Sequence, residues 1–374
     1  MLGKVTLATQ TQGPIAATSL IVAEPSVPGL PLAVSLSSKN LTLPLDAKTK
    51  GESTKLSNVS LRMTGSAARW TLRSGVTVDA PQTPPATLAL KAHGTLTDLD
   101  IDSLVAKTAG GTGTLVAKAD WANDLTFDGD LKLSQLGVHH FVPSVEATLS
   151  GDTKIQGRLT PQGWMVDLPT LDIHGQLAKN PLSVQGTVSA QSPLKVNVPS
   201  LKVALGDNHL EGQGQIDGKI LKGDLKIQAP NLANTLPGLS GRAEGFVTVG
   251  GTLTEPQIQA DLTATKLAYD DMGLASLLLK GNVAAKPDGG IDGNLTLHAS
   301  DAQVPGIDVR DLSARLDGTD KKHTLKVTLA GDPVSAGLEL DGTFNTKTQA
   351  WSGVLKNGNV NTPVGDWEIG RAHV

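Results

Sequence analysis

Three aspartates at alternate positions, Asp98, Asp100 and Asp102, have the spacing with which a calcium-binding loop begins. Alternate carboxylates in such a loop coordinate a hard cation, and the loop also needs glycine at its sixth position and glutamate at its twelfth. Those two positions hold Ser103 and Ala109 in this chain. The calcium motif is therefore incomplete. Because apolar residues alternate with the aspartates, we predict that they lie on the solvent-facing side of a strand.

The histidines and glycine motifs give no complete site either. His139 and His140 are adjacent, so on a strand they would point to opposite sides, and no third ligand follows at a recognised metal-site spacing. Isolated histidines such as His323 are predicted to be surface or turn residues. Gly212-Gln213-Gly214 could open a dinucleotide-binding loop, but Asp217 occupies the third glycine position, so a turn is predicted there instead.

Composition excludes further classes of protein. The chain has 374 residues, a net charge of −4 and a pI of about 6.1, which gives no positive surface for nucleic acid. It has no cysteine, which excludes disulfides, thiolate metal sites and a thiol nucleophile. No run approaches the roughly 18 to 20 apolar residues of a membrane-spanning helix, and the first residues do not form a signal peptide. We expect no enzymatic activity, no metal, no cofactor and no nucleic-acid partner.

Alternation of apolar and polar residues runs along nearly the whole chain and predicts strands with one dry face and one wet face. Glycine, asparagine and aspartate between these runs are typical of tight antiparallel hairpins. Short helical turns are expected only near residues 134–141 and 231–236, each closed by a proline. The clearest dry-face positions are eight aliphatic residues: Ile258, Ala260, Leu262, Leu325, Val327, Leu329, Leu338 and Leu340.

One block of the sequence recurs. Residues 129–160 return as residues 223–254, so that Leu131 matches Leu225 and Gly157 matches Gly251, with a constant offset of 225 − 131 = 251 − 157 = 94. A constant offset is expected when each copy is a fixed number of strands stacked against its neighbours. We therefore expect residues 1–367 to form one continuous, repeat-built region. Residues 368–374 match translated sequencing-adapter sequence and are expected to be a non-native tail.

The dry face of such a meander must be covered in some way. One solution is a closed sandwich or solenoid, in which the aliphatic side chains pack against each other. The other is a sheet curled into a trough whose dry face stays partly open to apolar cargo. Aromatic residues make up only 3% of the chain. Since closed cores of this size usually recruit more of them to fill volume, the composition favours the trough.

Several weak motifs between about Thr95 and Trp367 occur in the order and spacing of a known family. They include Asn197-Val198-Pro199-Ser200-Leu201, Gly331-Asp332-Pro333-Val334-Ser335 and Thr362-Pro363-Val364-Gly365-Asp366-Trp367. Taken in order, the sequence resembles the TamB family, the inner-membrane subunits of the translocation and assembly module of Gram-negative bacteria, within the wider AsmA-like group.

This resemblance implies an all-β fold: an elongated, curled antiparallel sheet with a long apolar groove, called a β-taco, and a few short helical turns. It implies a periplasmic location, an inner-membrane anchor through an N-terminal helix that this internal fragment lacks, and a TamA-like outer-membrane barrel protein as partner. The activities described for the family are outer-membrane protein assembly and, for AsmA-like relatives, glycerophospholipid transport. The resemblance implies no catalytic residues.

Three functions remain open, in descending order. In a lipid conduit, the eight aliphatic residues would line a path for phospholipid acyl chains between the inner and outer membranes. In a scaffold, an unpaired strand edge would support nascent outer-membrane proteins by β-augmentation, without conducting lipid. A solenoid enzyme acting on polysaccharide ranks last, because its coils usually repeat about every 20 to 30 residues rather than at the offset found here.

Overall fold

A computed structural model describes residues 16–21, 31–44, 53–66, 68–81, 83–108, 110–270, 272–287, 290–304, 307–345, 348–370 and 372–373. Nearly all of these residues lie in strands. The chain divides into two compact units, Met1–Ser192 and Pro193–Val374. The described residues include no helix with the length and apolar character that crossing a bilayer requires.

The first unit is an antiparallel meander in which each strand pairs with the next along the chain. A 3-10 turn, Val138–His140, lies between its eighth and ninth strands. The strands are β1 (Ala16–Ile21), β2 (Pro31–Pro44), β3 (Ser53–Ser66), β4 (Arg69–Asp79), β5 (Ala86–Gly94), β6 (Asp98–Thr108), β7 (Gly111–Asp120), β8 (Leu125–Gly137), β9 (Ala147–Thr160), β10 (Gly163–Leu177) and β11 (Asn180–Gln191).

The second unit is also an antiparallel meander, with one 3-10 turn, Leu232–Asn234, after its third strand. Its last two strands both pair with the eleventh strand of the unit. The strands are β12 (Lys195–Leu205), β13 (Asn208–Asp217), β14 (Ile220–Ala229), β15 (Leu239–Gly251), β16 (Pro256–Tyr269), β17 (Met272–Ala285), β18 (Ile291–Val304), β19 (Ile307–Thr319), β20 (Lys322–Asp332), β21 (Ser335–Asn345), β22 (Ala350–Thr362), β23 (Gly365–Ile369) and β24 (Ala372–His373).

The prediction of an all-β antiparallel sheet with a few short helical turns is confirmed. The two 3-10 turns begin at Val138 and Leu232 and so share the offset of the sequence repeat. The turn predicted at Gly212-Gln213-Gly214 is wrong, because these residues lie inside β13. Gly212 pairs with Leu225, and a Cβ added at Gly212 would lie 3.1 Å from Cδ1 of that leucine. Glycine therefore makes room for a neighbouring side chain at this position.

Bulges bend many of the strands. The pairing register shifts around Pro169 in β10 and around Pro199 in β12. Proline cannot donate a hydrogen bond to the ladder, and the extra residue of a bulge curves the strand that carries it. Asn58 and Gln135 adopt positive φ angles of 51° and 49° at two other shifts. Such shifts occur in both units, so bulged strands are a shared feature of the two meanders.

Little of the apolar face is sealed into a core. Among the described residues no large side chain is fully buried. The apolar residues in the buried class are mostly alanines, namely Ala92, Ala147, Ala229, Ala264, Ala299, Val309 and Leu355. A closed sandwich of this length would bury many larger side chains. Within each unit the burial therefore favours a partly open apolar face over the closed alternative.

Candidate functional site

The strand register places the eight predicted dry-face residues of the second unit on one face of the sheet. Residues that pair directly across an antiparallel ladder share a face. Ala260, Leu325 and Leu340 lie in one cross-strand row. Ile258 lies two residues before Ala260 and Leu329 lies four residues after Leu325, so both side chains are on the same face as that row. A second row runs through Leu262, Leu279, Leu297, Ala314, Val327 and Leu338.

This apolar face is accessible. Ile258 is 45% exposed, and the other seven residues are half-buried. The opposite face carries polar and charged residues, and ion pairs connect its neighbouring strands, such as Lys280 to Asp261 at 2.9 Å and Lys326 to Glu339 at 3.5 Å. Exposed pairs of this kind add little stability. Their effect is to keep one face wet while the other stays aliphatic.

The apolar face deepens into a cavity of about 420 Å³ across β17 to β22. Leu325 lines it, and it is the only one of the eight predicted residues that does so. Sequence reasoning missed the other apolar lining residues, because alternation indicates a face but not which side chains meet on it. They include Val283, Leu295, Leu316, Phe344 and Trp351.

Two glycines form part of the cavity wall. Gly293 pairs with Gly318, in the row between Val283 and His323. A Cβ added at Gly293 would collide with the carbonyl oxygen of Asn282, and one added at Gly318 would collide with that of Lys322. Gly318 also has a φ of +125°, which L-residues rarely adopt. Side chains therefore cannot fill this part of the cavity without moving the backbone.

His323 lies in the cavity wall and is only 8% exposed. The prediction that it is a surface or turn residue is wrong. Its Nε2 accepts the indole N–H of Trp351 at 2.7 Å, and its Nδ1 lies 3.0 Å from the carbonyl oxygen of Thr319. With Nε2 as the acceptor, Nδ1 is the ring nitrogen that donates to the carbonyl oxygen of Thr319. The sequence did contain a sign of this position: His323 lies two residues before Leu325, so its side chain is on the same apolar face of the strand.

Asp320 ties three strands together at the hairpin edge of the cavity. Its Oδ1 accepts the backbone N–H of Ile291 at 3.0 Å, and its own N–H donates to the carbonyl oxygen of Ile291 at 2.9 Å. Its carbonyl oxygen accepts the N–H of Phe344 at 2.6 Å. The turn between β19 and β20 is thus held to the start of β18 and to β21 at the edge of the cavity.

Asp98, Asp100 and Asp102 of β6 lie in a partly exposed polar cluster. The two ring nitrogens of His93 lie 3.2 Å from Asp100 and 2.9 Å from Asp102, and Asp98 accepts the backbone N–H of Thr95 at 3.1 Å. The side chain of Asp102 is 51% exposed. Within the described ranges, no three His, Asp or Glu side chains are placed to hold a metal ion.

The family model described as TamB, N-terminal domain, matches residues 1–373. The chain belongs to the TamB family. It is 29% identical over 320 residues to the translocation and assembly module subunit TamB of Haemophilus influenzae, which covers 85% of this chain and 24% of that protein. The chain thus spans about a quarter of the length of that TamB relative.

Two proteins of Buchnera aphidicola are also similar to this chain. Uncharacterized protein BU087, from the subspecies Acyrthosiphon pisum, is 23% identical over 214 residues, or 57% of this chain and 22% of that protein. An uncharacterized protein from the subspecies Schizaphis graminum is 22% identical over 227 residues, or 59% of this chain and 22% of that protein. No solved structure matches the chain at a significant level.

Proposed function

We propose that this chain is a segment of a periplasmic bridge whose apolar face carries phospholipid acyl chains from the inner to the outer membrane. The observation that carries the proposal is the accessible row of aliphatic residues that runs from Leu262 to Leu338 without a polar interruption. A two-tailed lipid in water exposes roughly 30 methylenes at about 0.8 kcal/mol each, a barrier on the order of 24 kcal/mol. A continuous apolar surface removes most of that barrier.

The name of the H. influenzae relative supports the wider setting. That protein is a translocation and assembly module subunit. We infer that this chain works in the same kind of module, beside a TamA-like outer-membrane barrel protein and in a protein anchored to the inner membrane. Its role there is to bind and guide, without catalysis.

A second candidate is a scaffold for nascent outer-membrane proteins, which the word assembly in the relative's name favours. Such a scaffold would offer the backbone groups of a strand edge to an incoming strand. Its function would therefore depend on the edge of the sheet and not on the aliphatic side chains of its face.

Charges placed in the aliphatic row separate the two functions. We would replace Leu262, Val327 and Leu338 with aspartate in the full-length protein in cells, with a photo-reactive amino acid at Ile258. Because ionised carboxylates bind water strongly, crosslinking of phospholipid and lipid flow to the outer membrane should both fall sharply. Unchanged crosslinking and lipid flow in a folded variant would refute the conduit, and a selective loss of protein assembly would favour the scaffold.

The matched control places the same number of aspartates on the wet face of the same unit. Thr248, Gln259 and Thr296 are exposed and lie on that face, in strands β15, β16 and β18. Aspartate at these three positions adds the same charge but leaves the aliphatic row intact. Lipid crosslinking at Ile258 should then stay at the level of the unaltered protein.

A further inference from the structure

We propose that the wet face of β12 to β16 contains a binding site for a polysaccharide of N-acetylated amino sugars. Three open cavities, of about 250, 290 and 530 Å³, follow one another along these strands, and together we call them the polar groove. The polar groove lies on the opposite face of the sheet from the aliphatic row. The inference therefore goes beyond the proposed lipid path and does not depend on it.

Strand register makes the polar groove continuous. On β13 its lining side chains run from Gln215 to His209, on the face opposite Leu210. At about 3.4 Å per residue, this stretch of strand is about 20 Å long. Pro199 and Gln213 line both of the smaller cavities, so these two cavities adjoin. The groove therefore suits a short stretch of an extended chain.

A bulge in β12 opens this groove. The pairing register with β13 shifts between Val198 and Leu201, around Pro199. On the facing strand, Gln213 falls within this shift and has no paired residue on β12. A bulge leaves such a gap because two residues of one strand oppose one residue of the other. The side chain of Gln213 therefore borders an open space.

Amide side chains in the groove are available to a ligand. Asn197, Gln215 and Gln228 are exposed, and none of their side chains forms a hydrogen bond to another residue that the structure describes. A primary amide both donates and accepts hydrogen bonds. It can therefore pair at two points with an acetamido group, which also has one donor and one acceptor. This complementarity favours N-acetylated amino sugars over sugars that carry only hydroxyls.

Phe246 places an aromatic ring among these polar groups. It lies on the wet face of β15, paired with Lys226 on one side and with Asp261 on the other, and it is 59% exposed. It lines the middle cavity of the groove. A phenyl ring left in water gains free energy when an apolar surface covers it. The C–H groups on one face of a pyranose ring provide such a surface, and they meet the negative face of the aromatic ring.

The charges of the groove are balanced. Its cations are Lys202, Lys222, Lys226 and Arg242, and four carboxylates line the groove as well. A surface without net charge does not attract a polyanion such as nucleic acid. In addition, β13, β14 and β15 are each paired on both sides, so an incoming peptide cannot add to them as a strand. An uncharged or zwitterionic polysaccharide satisfies both constraints.

Binding of defined oligosaccharides tests the proposal. We would titrate the purified full-length protein with chitohexaose, an oligomer of N-acetylglucosamine, in a calorimeter. Cellohexaose has the same linkage and length but no acetamido groups, and it should bind about tenfold more weakly. Equal affinities for the two oligosaccharides would overturn the assignment to amino sugars. No binding of either would overturn the site.

The aromatic ring has its own variants. Phe246→Ala should weaken the binding of chitohexaose about tenfold, because the contact with the sugar ring is lost. Phe246→Tyr keeps the ring and should bind like the unaltered protein. Trp367→Ala is the matched control, since it removes another exposed aromatic side chain, 58% exposed and outside the groove. Unchanged binding in Phe246→Ala would overturn the placement of the site.

The amides are tested separately. Gln215→Leu and Gln228→Leu keep most of the side-chain volume but remove the amide, so each should weaken the binding of chitohexaose about threefold to tenfold. The affinity for cellohexaose should change less, because it has no acetamido group to lose. Unchanged affinity for chitohexaose in both variants would overturn recognition by these amides.

Failure of this inference and failure of the proposed function give different results. Phe246→Ala leaves the aliphatic row intact, so phospholipid crosslinking at Ile258 should stay unchanged while the binding of chitohexaose falls. Lipid crosslinking without any binding of chitohexaose to the unaltered protein would overturn the site and leave the conduit standing. If Phe246→Ala loses both, the variant has disturbed the sheet, and the glutamine variants then decide whether the groove binds the oligosaccharide.

Discussion

Trp351 donates its indole N–H to Nε2 of His323 across 2.7 Å, between residues that are 28 positions apart in the chain. The same imidazole reaches back to the carbonyl oxygen of Thr319 at 3.0 Å. One buried histidine thus connects β22 with the end of β19 beside the cavity. Because a buried acceptor that loses its donor keeps its desolvation penalty, this contact has a measurable consequence for stability.

Trp351→Phe should lower the free energy of unfolding by about 1–3 kcal/mol, because the ring stays apolar but Nε2 of His323 loses its donor. Urea denaturation of the purified chain measures the change. Trp367→Phe is the matched control, since Trp367 is 58% exposed. The control should change stability by no more than about 0.5 kcal/mol. Equal losses in the two variants would show that the hydrogen bond to His323 contributes nothing.

Two glycines of β15 should respond in opposite ways to alanine. A Cβ at Gly245, whose φ is +155°, would collide with the carbonyl oxygen of Asp261, whereas a Cβ at Gly250 would meet nothing within 4 Å. Gly245→Ala should therefore cost about 1–3 kcal/mol of stability. Gly250→Ala should add about 0.4–1 kcal/mol by restricting the unfolded chain. Similar thermal midpoints for the two variants would contradict this account of the strand.

The carboxyl group of Asp341 should titrate abnormally. The Thr324 hydroxyl donates to its Oδ1 at 2.8 Å, and the Lys356 ammonium lies 3.3 Å from its Oδ2. The Thr324 hydrogen bond is the largest cause of a pKa held below 3.8; partial desolvation opposes it and Lys356 reinforces it. Because this pKa is lower in the folded than in the unfolded protein, the ionised carboxylate stabilises the fold at pH values above the unfolded-state pKa. That stabilisation is lost as the pH falls through the folded-state pKa.

Thr324→Val should therefore raise the pKa of Asp341 and reduce this pH-dependent stabilisation. Lys356→Met should also raise the same pKa, because it removes both a hydrogen bond and an ion pair to the carboxylate. NMR titration of the side-chain carboxyl carbon follows the group directly. An unchanged pKa of Asp341 in Thr324→Val would contradict the assigned role of this hydrogen bond.

The sequence predicted the architecture because a period of two is visible without any contact information. Ile258, Ala260 and Leu262 alternate with polar residues, and this is enough to assign a strand and its dry face. The short helical turns were found near residues 138–140 and 232–234 because prolines and the loss of alternation mark them. The order of short motifs indicated the family. Each of these signals is local, or depends only on position along the chain.

What the tertiary structure decided is which side chains meet. Alternation predicts which face of the sheet carries Leu325. Its place beside Leu316 and Leu295, however, depends on the register of three strands. Register follows from turn lengths and bulges, and a slip of one residue would send every side chain to the other face. His323 was misjudged for the same reason, since its partner Trp351 lies two strands away. The sequence by itself determined an aliphatic face; only strand pairing, with glycines where a Cβ cannot fit, decided that this face contains a cavity.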